Sequence, residues 1–231
     1  MIFEIRFGGS SASVPEVFPP ELLRRFGGQF TKFVGLPAGS IPLELRKQQA
    51  DLFYVPTVSI KGETDTVNVG EHVVLLARVG SYDGWENFRK SCHDIAGILR
   101  EAGGVDTVER FSLKAVNIVP GIDGDGADPL TLTVSVGGEV VNQRGFSCRF
   151  ERAHGNILSI IQVTRGVQLA NPYNGRSGTL LAIDVIDLAP PEVFLREPAG
   201  ALDRCHEVLR SEFFGMISQE ALASYNPEYA T

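Results

Sequence analysis

Between Trp85 and Ala102 the apolar side chains Trp85, Phe88, Cys92, Ile95, Ala96, Leu99 and Ala102 recur at helical spacing. On an α-helix these positions form a single stripe, and a stripe of that kind must be laid on another apolar surface. The flanking segments read as strands. Val73, Leu75, Ala77 and Val79 before it share a strand face, with Arg78 pointing the other way. After it, Phe111, Leu113, Ala115 and Val119 share a face, and Arg110, Ser112 and Lys114 lie opposite. Asp83 stands where an N-cap belongs, Glu86 completes a capping box, and Gly103-Gly104 stops the helix. Long helices laid on a sheet are therefore the expectation.

The same alternation marks a first strand from Ile2 to Phe7, with Phe3, Ile5 and Phe7 on one face and Glu4 and Arg6 on the other. Further strands are expected around Val58, from Val67 to Val79, and over Leu130 to Val136, Phe146 to Glu151, Ile157 to Arg165 and Thr179 to Leu188. Short turns between most of them favour antiparallel pairing. Gly8 to Pro20 reads as a loop, with a short helix from Pro20 to Phe26 and another near Leu43 to Gln49. A long final helix is expected from Ala201 to Gln219. The class is α+β: a mainly antiparallel sheet with long helices packed on one face, in a single domain over 1–231. Cys92-His93-Asp94-Ile95 and Cys205-His206-Glu207-Val208, each in a long helix, also allow two pseudo-equivalent halves, 1–120 and 121–231.

With 43% hydrophobic and 21% charged residues among 231, the chain has enough apolar mass for a core and too little charge for disorder. No apolar run approaches the roughly 20 residues that span a bilayer. The alternating start reads as a strand rather than a signal peptide, so a cytoplasmic protein is expected. Three cysteines, Cys92, Cys148 and Cys205, at wide spacings make neither a disulfide framework nor a zinc pattern. A net charge of −7 argues against non-specific nucleic-acid binding, which needs a basic surface.

Chemistry-bearing motifs are sparse. Gly121-Ile122-Asp123-Gly124-Asp125-Gly126-Ala127-Asp128 resembles a calcium loop in composition, but Ala127 and Val134 stand where that loop needs ligands. No phosphate loop, dinucleotide fingerprint or nucleophile elbow is present, and Asp184 and Asp187 alternate to opposite strand faces. Adjacent Cys and His on a helix point about 100° apart, so neither Cys-His pair can chelate one ion. Cys92 lies in the apolar stripe and His93 on the polar flank. His206 is expected on the apolar side with Leu202, Leu209 and Phe213, hydrogen-bonded to a backbone carbonyl or to Asn117. Arg78, Arg110, Lys114, Arg149 and Arg165 all fall on expected strands; sharing one uncovered face, they would form a basic patch for an anion or an acidic partner. Trp85, Asn117 and His206 are read as structural. No catalytic residue, cofactor or metal is assigned.

Four ordered stretches carry a resemblance: Tyr82-Asp83-Gly84-Trp85-Glu86-Asn87-Phe88, Arg110-Phe111-Ser112-Leu113-Lys114-Ala115-Val116-Asn117-Ile118, Gly178-Thr179-Leu180-Leu181-Ala182-Ile183-Asp184-Val185, and Leu202-Asp203-Arg204-Cys205-His206-Glu207 followed by Phe213 or Phe214. Together the chain resembles a sporadically distributed family of uncharacterised bacterial and archaeal proteins of similar length, departing at Lys114, where that family tends to have arginine. The resemblance implies a stand-alone protein without a known active site, and a patchy distribution suits mobile or antiviral defence genes. The expected function is a non-enzymatic binding or regulatory protein, an accessory in a defence or mobile-element operon, with a protein partner or self-association as a homo-oligomer. The alternative is an enzyme or sensor for a small anion such as a nucleotide.

Overall fold

The computed structural model describes residues 1–9, 13–79, 83–103, 105, 107–120, 128–141, 146–168, 177–189, 194 and 197–224. In chain order these form β1 (Ile2–Phe7), α1 (Val14–Phe26), β2 (Phe30–Gly35), α2 (Leu43–Gln48), α3 (Ala50–Phe53), β3 (Val58–Gly62), β4 (Asp65–Val69), β5 (Val73–Arg78), α4 (Trp85–Gly103) and β6 (Val108–Val119). Then come β7 (Ser135–Val136), β8 (Glu139–Val140), β9 (Ser147–His154), β10 (Ile157–Gln168), β11 (Ser177–Asp187), α5 (Pro198–Met216) and α6 (Gln219–Ser224). Nine strands make one large antiparallel sheet in the order β2-β3-β4-β5-β1-β6-β11-β10-β9, while β7 and β8 form a separate hairpin. The protein is α+β. No helix among the described residues is long and apolar enough to cross a membrane.

The chain resolves into two compact units, Met1–Leu113 with Ile186–Cys205, and Lys114–Val185 with His206–Thr231. In the first, α1 packs on α4, α1 also meets β4, and α4 meets β5. Phe3, Ile5 and Phe7 of β1 are buried as their alternation requires. Phe88, Cys92, Ile95 and Leu99 form the buried stripe of α4, joined by Ile98. Phe194 lies stacked on Phe111 with ring centroids 4.2 Å apart and also touches Phe3. In the second unit β10 pairs with β9 over eight consecutive residues without a register shift. The segment beside Leu130 closes onto the end of α5, where the Thr131 amide donates to the Met216 carbonyl.

Several expectations are corrected. The first helix starts at Val14, not Pro20, and carries Pro19 and Pro20 in its interior. Each interior proline costs about 3 kcal/mol. Pro15 sits in the first turn, where it costs nothing, and Val14, Phe18 and Leu22 at four-residue steps are fully buried. Burying three such side chains is worth about 1.5–3 kcal/mol each, which holds the helix together through its prolines. Gly27 then ends it with φ +56°, its amide donating to the Leu23 carbonyl. β2 was not expected at all. The strand expected from Val67 to Val79 is two, β4 and β5, reversing at Gly70, where an added Cβ would lie 2.7 Å from the Val55 carbonyl oxygen. Leu130–Val136 is not a strand: Leu130 makes an isolated bridge to Ile217, and only Ser135–Val136 pairs further on. The last helix stops at Met216, and Ser218 starts α6, its Oγ accepting from the Ala221 amide. The calcium-like loop lies outside the described residues except Asp128.

Candidate functional site

The five strand cations are placed as follows. Arg78 shares the side of Val74 and Leu76, under α4, with its side chain 7% exposed. It forks onto Asp65, Nε to Oδ1 and Nη2 to Oδ2 at 2.8 Å each, and also donates to Asp83 at 2.6 Å and to Ser91. Its guanidinium lies 5.4 Å from the centre of the Phe88 ring. Hydrogen bonding to Asp65 raises its already high pKa. Arg78 is thus fastened inside the first unit. Arg110, in the same unit, lies 4.0 Å from Glu4. In the second unit Lys114 is half-buried, Arg149 pairs with Glu151 at 3.0 Å, and Arg165 donates to Asp128 and to the Leu132 carbonyl. Register separates two of these. Arg149 opposes Gln162, so it shares a face with the even-numbered residues of β10, whereas Arg165 is odd-numbered. The cations of β9 and β10 therefore do not form one basic face.

Trp85 Nε1 donates to Asp203 Oδ1 at 2.9 Å, and Arg89 reaches the same carboxylate at 3.3 Å. This joins α4 to α5 through two of the stretches quoted above. Asn117 and His206 are both half-buried. The buried stripe of α5 runs Ala201, Leu202, Cys205, Leu209, Glu212 and Met216, so Cys205 occupies the inward position expected for His206. His93 is exposed, on the rim of a shallow groove with Arg100, Phe194 and Pro198. Burial pushes the Cys92 thiol well up and the Cys205 thiol to about 12, which leaves both protonated and inert.

Sequence reasoning missed a polar and aromatic cluster in the first unit. Arg6 donates to Glu4 at 2.8 Å and lies 4.7 Å over the Tyr54 ring, while the Tyr54 hydroxyl donates to Glu109. Beside it His72 stacks on Phe53, centroids 4.0 Å apart and planes 4° from parallel. Only Glu4 and Arg6, two apart on β1, were legible as neighbours. Tyr54, His72 and Glu109 come from three other segments. Burial, then the Glu109 hydrogen bond, raises the Tyr54 pKa, and burial lowers that of His72. Both shifts favour the neutral form, and the contacts tie β1 to the Tyr54 and Glu109 segments.

In the second unit Glu212 is 3% exposed and accepts from Arg152 at 2.8 Å, with His154 Nε2 at 2.7 Å from its other oxygen. Ser159 shares that face, opposite Arg152, and completes a Ser, His and Glu set. The set is not a hydrolase triad, because Ser159 is fully buried and no substrate carbonyl can reach its Oγ. Among the described residues no group of His, Cys, Asp and Glu could hold a metal ion. A cleft of about 220 Å³ lies between α1 and α4, and its cations are engaged by its own carboxylates: Arg24 with Glu21 at 2.7 Å and Arg25 with Glu101 at 2.8 Å.

Val136, at 67%, is the most exposed of the large apolar residues described, on the β7–β8 hairpin; Val140 on the same hairpin is 52% exposed. Ser135 pairs with Val140 and Val136 with Glu139, so the two valines stand on opposite faces. Gly137 and Gly138 turn the hairpin with φ +61° and +89°, the two left-handed positions of a tight two-residue turn. Comparison with known proteins yields no matching family model, no matching curated protein and no matching solved structure.

Proposed function

We propose that the protein is a non-enzymatic binding or regulatory protein that grips another protein chain through the β7–β8 hairpin. One observation carries this reading: a two-stranded hairpin outside the main sheet presents bare valines on both faces. An isolated hairpin is marginal in water, and apolar side chains on both faces gain free energy only when something covers them. Burial of the Cys92 and Cys205 thiols and the engagement of Arg78, Arg110, Arg149 and Arg165 by carboxylates leave these groups committed to the fold, which supports a binding role carried elsewhere. An accessory role accords with the operon setting that the resemblance implies.

The test is affinity capture from the native host, with the parent protein beside a Val136→Thr, Val140→Thr variant. Threonine keeps the β-branched shape and puts a hydroxyl in place of one of the two exposed methyls of each valine. A protein retained in stoichiometric amount by the parent and lost from the variant, at unchanged melting temperature, supports the proposal. Retention of nothing, or of the same proteins by both, sinks it.

A further inference from the structure

The sheet has two ends, and they differ. β2 at one end is short, carries a register shift between Phe30 and Lys32, and sets Lys32 directly opposite Lys61. A bulge and like charges are the devices that keep an edge from pairing. β9 at the other end has eight residues in unbroken register with β10, and no described strand pairs with its outer side. From these two ends we infer that β9 is a self-association edge, on which a second copy of this chain pairs antiparallel about a twofold axis at Phe150.

The backbone sets the possible registers. The Arg165 amide donates to the Phe146 carbonyl, so in this ladder the even-numbered residues of β9 turn their peptide groups toward β10. Ser147, Arg149, Glu151 and Ala153 consequently turn theirs outward. A symmetric partner strand must set outward-facing residues against outward-facing residues, and near the middle of β9 three registers do so. Centring on Arg149 puts arginine against arginine, and centring on Glu151 puts glutamate against glutamate. Centring on Phe150 puts Arg149 against the second copy's Glu151 and Glu151 against its Arg149, with Ser147 against Ala153. Only this register pairs every charge with its opposite on that face. It also brings the two Phe150 rings together as a cross-strand aromatic pair on the other face, and it forms about eight backbone hydrogen bonds. Charges of one sign would protect this edge; alternating signs make it self-complementary. Arg149 and Glu151 are 55% and 49% exposed, so both are accessible to a second chain. An isologous contact of this kind closes at two copies and leaves no further β9 edge to propagate. The hairpin plays no part in it, so this inference and the proposed function stand or fall separately.

The experiment is sedimentation equilibrium of the full chain from low to high micromolar concentration, on the parent, Arg149→Glu, Glu151→Arg and an equimolar mixture of the two variants. The parent is expected to dimerise. In the Arg149→Glu variant both facing positions are acidic, and in Glu151→Arg both are basic, so each alone should dimerise at least about tenfold more weakly. In the mixture every acidic position faces a basic one, and a heterodimer should form as tightly as the parent dimer. That rescue also shows that both variants are folded. A parent that is monomeric at every concentration, single variants that dimerise like the parent, or a mixture that stays monomeric would each overturn the inference.

Discussion

Arg78 shows why an arginine on a strand cannot be assigned from its strand alone. Its neighbours in sequence, Val73 to Ala77 and Val79, are all apolar, so no alternation says which face Arg78 takes. Asp65, on the adjacent strand in direct register with it, decides the matter: the two side chains are 1% and 7% exposed and joined by a bidentate fork. Removing Asp65 leaves the buried Arg78 guanidinium with only the exposed Asp83 carboxylate as a counter-charge. Asp65→Ala should therefore cost about 3–5 kcal/mol, read as a shift in the urea unfolding midpoint. Replacing both residues by apolar ones, Asp65→Leu with Arg78→Met, should cost far less, because no charge is then left in the core. A single variant as stable as the parent would mean that Arg78 escapes to solvent and the pair holds nothing. The Glu4, Arg6, Tyr54 and Glu109 contacts follow the same logic: Glu4 and Arg6 pair within β1, while Arg6 over the Tyr54 ring and Tyr54 with Glu109 tie that pair to two other segments.

Among elements, β2 is held by a close approach rather than by a core stripe; of its six residues only Phe30 is buried. It meets β3 at Gly62, where an added Cβ would lie 2.5 Å from the Gln29 carbonyl oxygen and 3.3 Å from that of Asp65. Gly62→Ala must push β2 away or tilt it, at a cost of about 1–3 kcal/mol. Gly28→Ala, only a few residues from that contact, has open space around its Cβ and should leave the melting temperature unchanged. Equal melting of the two variants would show that β2 yields freely. α1 illustrates the opposite balance, an element whose local signals argue against it and whose packing on α4 wins.

For the whole molecule, the division into compact units does not follow chain order, since Ile186–Cys205, from far along the sequence, completes the first unit and interrupts the second. Phe194 supplies a ring to Phe3 and Phe111, and Asp203 accepts the Trp85 indole. A fragment of residues 1–120 lacks both, and it should unfold without a cooperative transition in calorimetry; a sharp transition near that of the parent would refute this. The sequence alone determined what depends on local periodicity. β1, α4, the α+β class and the antiparallel hairpins follow from steps of two and of three or four, because one buried face imposes its repeat on neighbouring residues. Tertiary structure alone decided the rest. Whether Pro19 and Pro20 end a helix depended on what Val14, Phe18 and Leu22 could bury themselves in. The inward place of Cys205 instead of His206 was settled by one step of rotation about α5, a difference of about 100° that the half-apolar flanks of that helix do not encode. The partners of Arg78, Tyr54 and Glu212 were set by contacts between residues 13 to 60 positions apart, and a free energy shared over such distances leaves no repeat in the chain to read.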